Sequence, residues 1–122
     1  MTFGEFLKAK RAEKRLTLRK FCELNNFDPG NISKLERGLM QPPQSEEKLL
    51  AYAEALGIKK GSDDYIQLFD LSYAGNKVLP VKNIKDEEVL RKLPAFFRTL
   101  DRKGLTTEKL DRLIELVKED LG

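Results

Sequence analysis

Histidine is absent from this 122-residue chain, and cysteine occurs once, at Cys22. Without histidine a zinc site would rest on carboxylates almost alone, and neither a Ser–His nor a Cys–His nucleophile pair can be built. That argues against most hydrolases, and no paired-acid spacing stands out for carboxylate-only chemistry. The expectation is a protein that is not an enzyme and holds no metal or other cofactor. One cysteine allows no internal disulfide, which suits the reducing cytoplasm. No run of about 18 apolar residues is present, so no membrane span is expected. The opening MTFGEFLKAKRAEKR lacks the apolar centre of a secretion signal.

What is present is a short, charged chain with enough apolar residues for a compact core: 40% hydrophobic and 35% charged. That length suits one domain, or a small domain with an appended helical unit. The net charge of +3 is unevenly spread. Residues 1–38 carry nine Lys/Arg against five Asp/Glu, whereas residues 39–122 carry fourteen against fifteen. A basic N-terminal third beside a neutral remainder suits a domain that meets phosphate with one face, the alternative being a solvated helix surface.

Apolar spacing predicts helices throughout and no alternating strand pattern. Phe3, Phe6, Leu7 and Lys10 fall at helical spacing in the first. Thr17 is a good N-cap for a short helix with Phe21 and Cys22 on one side, and the Asn25-Asn26 pair suits its end. Asp28 and Pro29 open a third helix, with Ile32 and Leu35 facing inward and Gly38 as its stop. Ser45 starts a fourth helix that ends at Gly57, and Ser62 or Asp63 caps a fifth. Residues 73–85 read as a connector whose Val78, Leu79 and Val81 are apolar enough to pack on the domain. Beyond it Pro94 either opens a helix or kinks a continuous one, Gly104 breaks the chain, and Thr106 caps a last amphipathic helix.

The short helices at residues 17–24 and 29–37 have the layout of a helix-turn-helix, although any small helical bundle contains tight helix pairs. Here a family likeness becomes concrete. LTLRKFCELNNFDPGNISKLERGLMQPP resembles the helix-turn-helix of the Cro/CI-like, XRE-type repressors of bacteria and phages. The matching positions are Thr17, Phe21, Cys22, Phe27, Asp28 and the run Ile32-Ser33-Lys34-Leu35-Glu36-Arg37-Gly38. The likeness covers about residues 3–70. It implies an all-α fold, with a five-helix DNA-binding domain at residues 1–72, the connector at 73–85, and a C-terminal helical hairpin for dimerisation at 86–122. Three positions depart from the family pattern: Leu18 stands where glutamine is frequent, Asn26 where glycine is usual, and Pro29-Gly30 where polar base readers often sit. A sub-class beginning DPxxxS accommodates the last of these.

The resemblance implies a dimeric transcriptional repressor that binds a double-stranded DNA operator, reading the major groove with the helix that starts at Pro29. Asn31, Ser33 and Lys34 are the polar side chains left to contact bases. Arg11, Arg15, Thr17, Arg19, Lys20, Asp28, Gly30 and Arg37 are the candidate phosphate contacts, which set affinity and salt dependence rather than sequence choice. Gly30, lacking a side chain, lets the first-turn N–H groups approach the backbone. Glu36 is expected to pair with a basic residue of the first or second helix, and Cys22 to be small and buried.

In the C-terminal segment Phe96, Phe97, Leu100, Leu110, Leu113, Ile114 and Val117 make more apolar surface than a helical hairpin buries alone. A homodimer interface is the expectation, with packing back onto the N-terminal domain the alternative. Two further uses rest on the likeness only. The tail resembles the dimerising tail of repressors encoded beside a regulatory zinc metallopeptidase, and many small XRE-type proteins are antitoxins that bind a toxin and their own promoter. Nothing in these residues separates the three uses.

Overall fold

The computed structural model describes residues 1–121, and among them the secondary structure is seven helices with no strand. Thr2 opens α1 (Phe3–Glu13) with a capping box. Its hydroxyl accepts the Glu5 amide at 3.1 Å, and the Glu5 carboxylate accepts the Thr2 amide at 2.9 Å. Those bonds to Thr2 hold the Glu5 carboxyl below its ordinary value. Thr17 caps α2 (Leu18–Asn25) by accepting the Lys20 amide, and Asp28 caps α3 (Pro29–Glu36) by accepting the Asn31 amide. Ser45 and Ser62 do the same for α4 (Glu46–Ala55) and α5 (Asp63–Asn76). Each cap satisfies an amide that has no partner within its own helix.

The chain divides into two units, Met1–Pro80 and Val81–Gly122. In the first, α1 packs against α3 and α5, α3 also against α2, and α5 against α4. Phe3, Phe6 and Leu7 from α1, Phe21 and Cys22 from α2, and Ile32 and Leu35 from α3 are buried together with Leu49, Ala53, Leu56 and Leu68. A close approach explains Gly4. A β-carbon there would strike the Leu35 carbonyl and lie 2.9 Å from the Glu36 carbonyl, so α1 and α3 meet nearly backbone to backbone.

The connector begins later than residue 73, because α5 runs on to Asn76. The buried Ser72 hydroxyl donates to the Pro43 carbonyl at 2.6 Å, and Asn76 donates to the carbonyls of Pro42 and Ser72. Two prolines that have no amide to offer are thereby anchored through their carbonyls. Val78, Leu79 and Val81 do not pack down as their apolarity suggests: each is exposed. Lys77, in the left-handed conformation, ends α5.

The second unit consists of α6 (Glu87–Arg102) and α7 (Thr107–Leu121), capped by Asp86 and Thr106. Pro94 lies inside α6, which continues through it. No helix of the described residues is long and apolar enough to cross a membrane.

Candidate nucleic-acid interface

The turn between α2 and α3 is fixed by chemistry at both ends. Asn26 closes α2 in the left-handed conformation at φ 58°, a geometry asparagine tolerates better than most residues. Phe27 then anchors the turn from below, its ring 5.6 Å from Phe21 and stacked 4.9 Å from Tyr52 of α4. Burial pushes the Tyr52 hydroxyl above its ordinary value. Asp28 begins α3 directly afterwards.

Ile32 and Leu35 bury one side of α3, which leaves Gly30, Asn31, Lys34 and Arg37 at helical spacing on the outer side. The Asn31 and Lys34 side chains are exposed and make no hydrogen bond or ion pair among the described residues; Ser33 is half-buried. Arg37 donates from Nε to the Ser33 carbonyl at 3.3 Å and remains exposed.

Glu36 settles the orientation of α3. Both its carboxylate oxygens accept from Arg11 of α1, Nε to Oε2 at 2.9 Å and Nη2 to Oε1 at 2.8 Å. The remaining Arg11 nitrogen, Nη1, donates to the Leu16 carbonyl at 2.8 Å. One guanidinium thus joins α1, the α1–α2 turn and the end of α3, in the bidentate geometry that suits arginine. The Glu36 carboxylate raises the Arg11 pKa. Arg11, expected at a phosphate, has all three of its nitrogens engaged in the fold. The Asp28 carboxylate is likewise occupied as a cap, and an ionised carboxylate has no proton to donate to phosphate. Arg11 is thus half-buried in an ion pair, and Asp28 is an exposed cap.

Arg15, Arg19, Lys20 and Lys34 are left exposed without an ion pair among the described residues. Arg19 and Lys20 lie in the first turn of α2 beside the Thr17 cap. Arg15 occupies the α1–α2 turn at φ 59°, a conformation that favours glycine. Among the nearby acids, Glu13 pairs with Lys10 and Glu36 with Arg11. Lys10 also reaches Asp64 of α5 at 2.8 Å, a tie that spans too much sequence to show in local spacing. Cys22 is buried, and desolvation raises its thiol pKa.

In the second unit, Phe96, Phe97, Leu110, Ile114 and Val117 are all exposed, while Leu100 and Leu113 are half-buried. Leu100 and Leu113 line a cavity of about 230 Å³ with Leu105 and Leu116, rimmed by Lys103, Lys109 and Arg112. Because α6 is continuous through Pro94, Val89, Leu90 and Leu93 join Phe96, Phe97 and Leu100 on one helix. The sequence expectation stopped short of those three. Their spacing of three and four residues was the signal that would have included them. Comparison with protein-family models, with curated proteins and with solved structures gave no match.

Proposed function

We propose that the protein is a sequence-specific DNA-binding transcriptional regulator, a dimeric repressor of the Cro/CI-like, XRE-type kind acting in the cytoplasm without enzymatic activity. In this proposal α2 and α3 are its helix-turn-helix and α3 lies in the major groove. Asn31 and Lys34 contact base edges, with Ser33 on a base or phosphate. Arg15, Arg19, Lys20 and Arg37 hold the phosphates, and Gly30 leaves the start of α3 free to approach the backbone.

The charge pattern carries the conclusion. Glu13 and Glu36 are drawn into pairs with Lys10 and Arg11 and Asp28 caps α3, whereas Arg15, Arg19, Lys20 and Lys34, with Glu23 the exposed acid among them, have no ion pair among the described residues. A solvated surface has no need of such one-sided pairing, whereas a phosphate backbone does.

Fluorescence anisotropy with the DNA upstream of the protein's own gene tests it. Affinity is expected to fall steeply with salt, the slope decreasing by about 0.9 for each phosphate contact removed. Asn31→Ala and Lys34→Ala should each lower discrimination by about 1–3 kcal/mol at the base they read. Absence of specific binding at low salt, or binding indifferent to both substitutions, overturns the proposal. Retained binding of a co-purified toxin by a chain that ignores DNA would favour the antitoxin alternative.

A further inference from the structure

The turn between α6 and α7 is tied from both sides. Gly104 follows α6 at φ 67°, and Thr106 caps α7 by accepting the Lys109 amide at 3.2 Å. The Lys109 ammonium reaches back to the carbonyls of Lys103 and Gly104 at 3.0 and 3.2 Å. A cation on those carbonyls also opposes the negative end of the α6 dipole. Beside this tie lies the cavity of about 230 Å³, its apolar lining formed by Leu100, Leu105, Leu113 and Leu116. Leu105 and Leu116 are 44% and 50% exposed, so the slot is open to water.

Among the described residues every charged side chain lining the slot is a cation: Lys103, Lys109 and Arg112. Lys103 and Arg112 make no ion pair among the described residues, and the Lys109 ammonium bonds only to carbonyls, so no carboxylate neutralises the three. On α7, Lys109, Arg112, Leu113 and Leu116 fall within an arc of about 100°. Glu108, Asp111 and Glu115 lie about 90° or more around the helix from the centre of that stripe, and Glu115 is paired with Lys118 at 3.8 Å. Glu119 and Asp120 come after Leu116, beyond the slot's end. On α6, Leu100 and Lys103 share a flank from which Asp101 and Arg102 are both turned by more than about 90°.

A volume of about 230 Å³ falls short of the roughly 300–1,000 Å³ of small-molecule sites and suits one or two large apolar side chains. An apolar anchor in a pocket, with polar contacts around its rim, is how protein partners are held. Nucleic acid brings charge to such a rim but no apolar side chain to the slot. We infer that the slot docks a segment of a second, different protein in which a leucine- or phenylalanine-sized residue is flanked by carboxylates. The apolar side chain enters between Leu105, Leu113 and Leu116, and the flanking carboxylates meet Lys103 and Arg112. The exposed Leu110, Ile114 and Val117, proposed above for the homodimer, lie roughly 120° around α7 from the slot, with Leu113 between the two surfaces. The inference does not depend on the DNA-binding proposal.

Fluorescence anisotropy of the full chain with a short labelled peptide tests it, the probe carrying one phenylalanine between pairs of glutamates. Binding is expected to weaken with salt, and to fall at least about tenfold when the phenylalanine of the probe is replaced by alanine. Arg112→Glu should weaken it about tenfold, because an exposed attraction is exchanged for a repulsion of similar size. The double variant Lys103→Glu with Arg112→Glu should prefer a probe with lysines in place of the glutamates, an exchange that loss of fold cannot produce. No binding of the acidic probe, or equal binding of the acidic and lysine probes by the natural chain, overturns the inference. A double variant of lower mass by light scattering shows the slot filled by a second copy and also overturns it. So does a double variant that loses specific DNA binding at unchanged helix content, since the cations then serve phosphate. Binding of the acidic probe by a chain that ignores DNA would leave this inference standing and the DNA-binding proposal fallen, so the two failures are distinguishable.

Discussion

Replacing Glu36 by glutamine leaves the shape of the α1–α3 contact almost unchanged and removes its charge. The two side chains are 12% and 5% exposed, so the Arg11 guanidinium remains largely out of water with only neutral acceptors. Truncating one partner of a buried pair in this way costs about 3 kcal/mol, because the surviving charge is uncompensated. For a unit of this size that corresponds to a fall in melting temperature of roughly 15 °C. The assay is built into the composition: Tyr52, Tyr65 and Tyr73 all lie in the first unit and the chain has no tryptophan. Tyrosine fluorescence in urea therefore follows that unit alone. The double variant Arg11→Met with Glu36→Leu should recover most of the loss, since apolar groups of similar volume replace a buried pair with little penalty. A Glu36→Gln protein within about 0.5 kcal/mol of the parent refutes the buried-pair argument. So does a double variant as unstable as the sum of the two single ones.

Gly4→Ala should destabilise the first unit by about 1–3 kcal/mol in the same urea assay, because its β-carbon meets backbone carbonyls that cannot give way; an unchanged midpoint would show the helices free to part. Arg15→Gly should raise stability by about 1 kcal/mol, since glycine accepts φ 59° without strain, and should lower the salt slope of DNA binding by about 0.9. If both quantities moved down together, Arg15 would be structural. Burial raises the pKa of Cys22 above its ordinary 9.0 and that of Tyr52 above 10.0. The unfolded chain ionises first, so stability present below about pH 9 is lost as pH rises through the folded values. The urea midpoint should therefore be lower at about pH 10.5 than at pH 8, and an equal or higher midpoint would contradict the burial of these groups. Cys22 should react with a thiol reagent only as the protein unfolds, and fast modification at neutral pH would contradict its placement.

Much of the fold was legible beforehand, and the reason is range. A cap is decided by a side chain and an amide three residues away, so Thr17, Asp28, Ser45 and Ser62 announce their helices without knowledge of the rest of the chain. Gly38, Gly57 and Asn26 stop helices because few other residues accept a positive φ. The Thr2–Glu5 capping box is equally local, its spacing of three visible in the sequence.

The candidate site divides differently. The amino-acid sequence by itself determined that the chain is helical, that apolar residues recur on one side of each helix, and that basic residues crowd the N-terminal third. Only the tertiary structure decided which of those basic residues are free. Arg11 and Arg15 look alike in sequence, yet one is bound by a carboxylate twenty-five positions away and the other faces solvent from a left-handed turn. Pairing of that kind depends on how α1 and α3 cross, which Gly4 permits and no local pattern records. Similarly, Pro94 is compatible with a break or a continuous helix. The continuity that joins Leu90 and Leu93 to Phe97 and Leu100 was settled by the fold, where a proline lacks one amide but the rest of α6 keeps its own.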